Sequence, residues 1–138
     1  MTHDTLIDQL IRHEGERFKP YRCTAGKLTI GVGRNLGDKG ITQEESRYLL
    51  GNDIRECETD LQRIFPGFLG FSQGRQWALT DLRFNLGPTR FRTFRNMIAA
   101  VNRGDWRTAG NEALDSRWAI QVQNDRVDCI VRQLKEGI

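Results

Sequence analysis

Hydrophobic residues near the start of the chain recur at the spacing of an amphipathic helix. Between Thr5 and Glu14 they fall on one helical face, and Gly15 is a suitable C-cap. From residue 18 to residue 33 the pattern changes, because β-branched and aromatic residues are interrupted at Ala25-Gly26 and closed by glycines. This change predicts a small hairpin with a tight turn. Glu14 is therefore predicted to lie where the helix meets the hairpin.

A longer helical pattern begins after residue 41. Thr42 and Glu45 have the spacing of a capping box, and apolar residues then step by three and four as far as Ile64, before Pro66. Further helices are predicted after Ser72 up to Gly87-Pro88, and over residues 94–102, 105–114 and about 124–136. No repeat or Pro/Ser-rich linker divides the chain, so the sequence predicts one mainly helical α+β domain over residues 1–138.

The composition is that of a globular protein with a basic surface. Hydrophobic residues make up 38% and charged residues 28%, and no apolar run is long enough to span a membrane. The net charge is +3, and 17 of the 21 basic residues are arginine. Such a surface favours polyanions in general, whether nucleic acid, anionic lipid or the bacterial cell wall. A nucleic-acid-binding helical domain is one alternative, but no basic run or known nucleic-acid-binding motif supports it, and no nucleic-acid partner is expected.

The N-terminus and the cysteines restrict the setting in which the chain works. Residues 1–8 contain two acids and lack the features of a secretory signal, so we expect synthesis in a cytoplasm and no membrane anchor. Cys23, Cys57 and Cys129 have wide, unrelated spacings, which predicts free thiols, no metal site and no cofactor. Cys57 and Cys129 lie within predicted helices and are expected in the core.

Glu14 is the first candidate for chemistry. Hydrolysis of a glycosidic bond needs an acid to protonate the leaving oxygen, and a second group to activate water or stabilise the sugar cation. Glu14 is followed by eight residues, Cys23, five residues and Thr29. The three are set among Gly15, Tyr21 and the segment of residues 29–33, Thr-Ile-Gly-Val-Gly. This arrangement resembles that of the phage-type lysozymes, or endolysins, whose pattern is Glu, eight residues, Asp or Cys, five residues, Thr.

The resemblance extends over nearly the whole chain. Residues 40–42 (Gly-Ile-Thr), 85–87 (Asn-Leu-Gly) and 116–118 (Ser-Arg-Trp) follow in the order of the family. It implies a lysozyme-like fold in which a small β-hairpin lobe, about residues 15–65, is joined by a long helix to a larger helical lobe. That lobe comprises about residues 66–138 and the N-terminal helix, residues 1–14. The cleft lies between the lobes.

The resemblance also implies the roles of the site residues. Glu14 is the general acid at the β-1,4 bond between N-acetylmuramic acid and N-acetylglucosamine, and Thr29 holds the attacking water. Cys23 acts either as a thiolate or as a neutral group that positions water, and the stereochemical outcome stays open. Arg126 matches an arginine that pairs with the glutamate, although one inserted residue precedes it. The residues expected to contact substrate are Tyr21, Leu28 and Asn85.

Three interpretations concern packing. Arg34 stands where the family commonly has histidine, and Asp53 on the long helix is its expected partner. Trp77 is expected in the core because of its helical spacing with Leu82, and Trp118 by analogy with the family.

An endolysin without an export signal would accumulate as a monomer in the host cytoplasm. It would then reach the periplasm and cell wall after a holin opens the membrane, and its action would lyse the host. Two alternatives keep the same cleft. One is a lytic transglycosylase that uses Glu14 and forms an anhydro sugar, and the other is a peptidoglycan-binding module inactivated by Cys23.

Overall fold

The computed structural model describes residues 5–121 and 124–138, in which helices predominate over a single small antiparallel sheet. The fold is therefore α+β and lysozyme-like. The helices are α1 Leu6–Glu14, α2 Leu36–Lys39, α3 Gln43–Ile64, α4 Gln73–Arg92, α5 Arg95–Asn102, α6 Trp106–Leu114, α7 Arg117–Gln121 and α8 Asn124–Glu136, with a 3-10 turn at Phe68–Gly70. The strands are β1 Arg17–Arg22, β2 Leu28–Gly31 and β3 Arg34–Asn35. The chain divides into two compact units, Met1–Tyr48 and Leu49–Ile138.

The first helix has both of its predicted ends. Thr5 is the N-cap, since its hydroxyl accepts the backbone N–H of Asp8 at 3.1 Å while the Asp8 carboxylate accepts the Thr5 N–H at 3.2 Å. At the other end the N–H of Gly15 donates to the carbonyl of Ile11 at 2.8 Å. Glu14 is thus the last helical residue, as predicted.

The predicted hairpin is formed by β1 and β2, which pair Tyr21 with Thr29. Its turn is closed by the Cys23 N–H, which donates to the Lys27 carbonyl at 3.0 Å, and by the Gly26 N–H, which donates to the Cys23 carbonyl at 2.8 Å. Gly26 has a φ of 77°, a conformation that favours glycine. The third strand and α2 were not predicted, because elements of two and four residues are too short to show a hydrophobic period.

The long helix α3 begins at the predicted capping box. The Thr42 hydroxyl accepts the Glu45 N–H at 3.1 Å, and the Glu45 carboxylate accepts the Thr42 N–H at 2.8 Å. The same carboxylate accepts hydrogen bonds from both terminal nitrogens of Arg34, at 3.0 and 2.6 Å. Arg34 therefore pairs with Glu45, and the expectation of Asp53 is wrong because this capping residue already lies within reach of the guanidinium. The contact with Arg34 lowers the pKa of Glu45 to about 2.

The second unit contains the hydrophobic core. Its fully buried large side chains lie on α3, α4, α5, α7 and α8, in the 3-10 turn and directly after α3, namely Leu61, Phe65, Phe68, Leu79, Leu82, Phe91, Met97, Val101, Trp118, Ile130 and Leu134. Helix α8 packs on α4 and α6, and Arg75 of α4 donates to the carbonyls of Leu134 and Lys135 at the end of α8, at 3.0 and 3.1 Å. The helix predicted to end at Gly87-Pro88 does break there, since Gly87 has a φ of 81°, and helical structure then resumes as far as Arg92.

The predictions about buried side chains have mixed outcomes. Trp118 and Cys57 are buried, as expected. Trp77 is 58% exposed, so its assignment to the core is wrong. The core face of α4 runs through Ala78 and Leu82, whereas Trp77 lies on the neighbouring face. Cys129 is only half-buried, so its assignment to the core is also wrong.

A buried carboxylate ties α3 to α4. Asp60 is 8% exposed and accepts Arg83 Nε at 2.8 Å and Arg92 Nη1 at 2.9 Å. The hydrogen bond from Arg92, followed by that from Arg83, lowers the pKa of Asp60 to about 2 against the opposing effect of burial.

Among the described residues, no helix combines the length and apolar character needed to cross a membrane.

We predict that Asp60→Asn destabilises the protein by about 3 kcal/mol near neutral pH, because it leaves the buried Arg83 cation without its counter-ion. The folded-state pKa of about 2 lies below the ordinary value of 3.8, so the carboxylate's contribution is present above about pH 4. It is lost as the pH falls through 2, and the difference between wild type and variant should shrink over that interval. Denaturant unfolding at several pH values measures this.

The exposed Asp128 of α8 provides the control. Asp128→Asn should change the free energy of unfolding by less than about 0.5 kcal/mol at any of these pH values. Equal effects of the two substitutions would contradict a special role for Asp60.

Candidate functional site

Glu14 lies against the backbone of the turn that follows β2. A β-carbon built on Gly33 would lie 3.2 Å from Glu14 Oε2, and the φ of Gly33 is 65°. The backbone conformation therefore favours glycine at this position, and a larger residue would displace the Glu14 carboxylate by a few tenths of an ångström. Glu14 is exposed, so the end of α1 does not shield its carboxylate from water.

Cys23 and Thr29 are brought together at the end of the hairpin that the turn closes. Thr29 is 3% exposed, and its hydroxyl donates to the Lys27 carbonyl at 2.9 Å. Cys23 is half-buried and directly follows β1. The pKa of the Cys23 thiol is lowered, first by the backbone N–H of Lys27 and then by that of Ala25. A smaller contribution comes from the Thr29 hydroxyl, and partial burial opposes all three.

The hydrogen bonds of this pair define what the sulfur can do. Backbone N–H groups that point at a sulfur stabilise its anion, as they would any localised negative charge. The Thr29 hydroxyl has one hydrogen, which can go to the Lys27 carbonyl or to Cys23 Sγ, and it retains lone pairs for a further donor such as water. The pair can therefore hold a negative charge and a water molecule next to each other.

Two of the predicted substrate contacts also lie on the hairpin. Tyr21 pairs with Thr29 across the sheet, and the guanidinium of Arg17 lies 4.4 Å from the centre of the Tyr21 ring. This cation-π contact fixes the ring from one side. Leu28 pairs with Arg22 and is 37% exposed.

Asn85 and Arg126 belong to the second unit. The Asn85 side-chain oxygen accepts the indole N–H of Trp118 at 2.8 Å, which holds the turn at the break in α4 onto the core. Arg126 Nε donates to Asp81 Oδ1 at 2.8 Å. The pairing of Arg126 with Glu14 stays a prediction.

Sequence reasoning missed three features of these sites. The supporting role of Gly33 for Glu14 and the backbone donors around Cys23 involve no side chain, so residue identity gives no sign of them. Asp81 lies 45 positions before Arg126, and an ion pair at that separation leaves no local pattern. In the part of the chain that the structure describes, no group of three or more His, Cys, Asp or Glu side chains could hold a metal ion.

Comparison with known proteins assigns the chain to a family. The family described as phage lysozyme matches residues 11–136, a range that contains Glu14, Cys23, Thr29 and Arg126. The chain belongs to the phage lysozyme family. The spacing of Glu14, Cys23 and Thr29 predicted a phage-type lysozyme, and this prediction is confirmed at the level of the family.

Individual relatives of this phage lysozyme family member differ in how much they share with it. An endolysin of Acyrthosiphon pisum secondary endosymbiont phage 1 is 34% identical over 78% of this chain and 73% of its own length. The endolysin of Salmonella phage P22 is also 34% identical, over 62% of each chain. The pre-baseplate central spike protein Gp5 of Enterobacteria phage T4 is 27% identical over 92% of this chain. The chain spans only 27% of the length of that spike protein.

We predict that Cys23 is alkylated faster than Cys57 at pH 7.5, because its thiol pKa is lowered whereas burial raises that of Cys57. Thr29→Val should slow alkylation of Cys23 by removing one hydrogen bond to the thiolate. Thr24→Val, in the exposed part of the same turn, should leave the rate unchanged. Peptide mass spectrometry after timed iodoacetamide treatment measures each cysteine, and equal slowing by both valines would contradict the proposed contact.

We also predict that Gly33→Ala destabilises the protein by about 1–2 kcal/mol, since alanine is strained at a φ of 65°. The new methyl group would also press on the Glu14 carboxylate, so any activity that depends on Glu14 should fall as well. Gly37→Ala in α2, where φ is not positive and space is available, is the matched control. An active and fully stable Gly33→Ala protein would show that this turn does not position Glu14.

Proposed function

We propose that this chain is a peptidoglycan hydrolase that cleaves the β-1,4 bond between N-acetylmuramic acid and N-acetylglucosamine, with Glu14 as the general acid. The observation that carries the proposal is that the first unit combines a candidate acid with a polarised thiol and a hydroxyl group. A glutamate carboxylate rests on Gly33, and the same small sheet carries a hydrogen-bonded cysteine and threonine. The family match includes all of these residues, so the chemistry of the residues and the family membership both support hydrolysis of peptidoglycan.

Each residue has a task in the proposed reaction. Glu14 donates its proton to the glycosidic oxygen as the bond to the anomeric carbon breaks, and positive charge develops on the sugar ring. A Cys23 thiolate would stabilise this charge, and the Thr29 hydroxyl would accept a hydrogen bond from the attacking water. The water oxygen then bonds to the anomeric carbon, and its proton leaves to Cys23 or to solvent. The products are two shorter glycan strands, one with a new reducing muramic acid end.

The exposure of Glu14 is compatible with this task. A carboxyl group that donates a proton near neutral pH works best when it is desolvated. The hairpin does not supply that desolvation, since Glu14 is exposed in the structure. The bound glycan would supply it, because a polymer lying over the carboxylate replaces water with sugar rings.

In this proposal Arg126 is the residue that orients the Glu14 carboxylate. Its guanidinium already holds the Asp81 carboxylate through Nε, so Asp81 fixes the arginine's direction. An arginine anchored in this way loses less side-chain entropy when it meets a second carboxylate. Asp81 would then be a positioning residue that acts through Arg126.

The alternatives share Glu14 but differ at Cys23 and Thr29. A lytic transglycosylase uses an internal hydroxyl of the sugar and needs no water site. A binding module needs no polarised thiol. The lowered pKa of Cys23 and its contact with Thr29 have a use in hydrolysis that neither alternative offers, which is why hydrolysis is preferred.

We propose that the biological outcome is lysis of a bacterial host. Endolysins of two phages are 34% identical to this chain, and the name describes enzymes that act at lysis. In this proposal the protein acts as a monomer on the cell wall after a holin has opened the membrane from the cytoplasmic side. The similarity to a phage spike protein raises a second setting, in which the same domain works within a larger assembly.

The decisive test compares Glu14→Gln with the wild type on outer-membrane-permeabilised Gram-negative cells. Loss of the proton donor should reduce clearing by at least about a thousandfold, within the range expected for a general acid. Glu16→Gln is the matched control, because Glu16 is an exposed glutamate two residues away and should keep full activity. Mass analysis of released muropeptides identifies the reaction, since hydrolysis adds one water that a transglycosylase product lacks.

Substitutions at Cys23 distinguish the two roles left open for the thiol. If the sulfur works as an anion, Cys23→Asp keeps activity and Cys23→Ser loses it. If it only positions water, Cys23→Ser keeps most activity. Clearing by Glu14→Gln at the wild-type rate would overturn the central assignment whatever Cys23 does.

A further inference from the structure

A basic pocket on the second unit contains none of the residues assigned to catalysis. It has a volume of about 490 Å³ and lies between α3 and the second half of α4. Its charged side chains are Arg55, Glu56, Asp60, Arg63, Arg83 and Arg92. Four arginines and two carboxylates leave the pocket with a formal charge of +2.

Asp60 makes the inner part of this pocket rigid. The Arg83 side chain is only 7% exposed and gives its Nε hydrogen to Asp60 at 2.8 Å. Arg92 holds the same carboxylate with both terminal nitrogens and also donates to the Pro88 carbonyl at 2.9 Å. Two guanidinium groups are thus fixed side by side, so a ligand would meet donors that need little further ordering.

The inner guanidinium groups keep donors for a ligand. An arginine has five N–H donors, and the Asp60 contact uses the one on Arg83 Nε. Arg83 Nη1 faces the sulfur of Cys57 at 3.9 Å, which is a weak acceptor. A ligand oxygen in the pocket would be a much stronger partner for this group.

Arg55 and Arg63 supply the outer charge. They lie eight residues apart on α3, on either side of Asp60, and both are exposed. Arg55 donates to the side chain of Asn52, which turns its guanidinium along the helix. These two arginines carry the positive charge that Asp60 and Glu56 do not balance.

We propose that this pocket binds a phosphate group of a monoester or diphosphate. A phosphate monoester carries a charge of about −1.5 to −2 near neutral pH and has three acceptor oxygens, so it matches the formal charge of +2. A single carboxylate would leave part of that charge unbalanced. Planar guanidinium groups also suit phosphate oxygens better than a point charge does. The volume admits the phosphate together with the group that bears it, whether a small soluble ester or a lipid headgroup.

The experiment measures binding of inorganic pyrophosphate by calorimetry to the wild type, to Arg55→Gln/Arg63→Gln and to Arg107→Gln/Arg132→Gln. The second double variant removes the same charge from exposed positions of the same unit, on α6 and α8. We expect a wild-type Kd below about 1 mM, at least about tenfold weaker binding by the pocket variant, and a change within about twofold for the control. Thermal melting of both variants checks that neither has lost its fold.

A second arm separates the sources of the phosphate. Cosedimentation with phosphatidylcholine vesicles that contain phosphatidic acid, but not with phosphatidylcholine alone, would assign a lipid headgroup. Binding of pyrophosphate without cosedimentation would assign a soluble ligand. Equal weakening in both double variants, equal affinity for malonate, or no binding to either probe would overturn the proposal.

Discussion

The candidate site in the first unit depends on the turn that closes the hairpin. The Cys23 N–H and the Lys27 carbonyl are joined at 3.0 Å, and this bond sets the backbone so that the N–H groups of Ala25 and Lys27 face the Cys23 sulfur. The same strand register places Thr29 beside it. A one-residue slip in the pairing would send Thr29 to the opposite face of the sheet and separate it from Cys23. The chemistry proposed here is therefore a property of the register as much as of the residue types.

Arginine determines how the remaining charges are arranged. The chain has 17 arginines and 18 Asp and Glu residues, and two of these carboxylates each hold arginine side chains in a fixed position. Glu45 holds Arg34 in the first unit, while in the second Asp60 holds Arg83 and Arg92. Both carboxylates have pKa values of about 2, which means that they remain ionised down to strongly acidic pH. Each of these acids has a second role besides holding arginine. Glu45 also caps α3, and Asp60 also joins α3 to α4.

Prediction from the sequence succeeded where a pattern repeats and failed where geometry in space decides. Helices α3 and α8 were predicted closely, because a capping box or an apolar stripe marks each over many residues. Trp77 was misassigned, since adjacent positions on α4 lie about 100° apart and its neighbour Ala78 faces the core instead. Arg34 was given the wrong partner because the choice between Glu45 and Asp53 depends on where the chain enters the helix. The spacing of Glu14, Cys23 and Thr29 identified the family, whereas the backbone donors around the sulfur depend on the conformation of the turn and have no sequence signature.

A cysteine at the middle position of the triad makes two protonation requirements compete. In the proposed mechanism Glu14 must hold a proton to act as an acid, while Cys23 must lack one to carry a charge. The two conditions are opposite, since one group must be protonated and the other deprotonated in the same molecule. An aspartate, which the family pattern also admits at this position, is ionised near neutral pH and creates no such competition. The N–H groups of Lys27 and Ala25 lower the pKa of Cys23 and so favour the thiolate that the proposed mechanism requires. The backbone donors of the turn act on the thiol in the direction of greater acidity, and we propose this as the physical reason why the family pattern admits either residue.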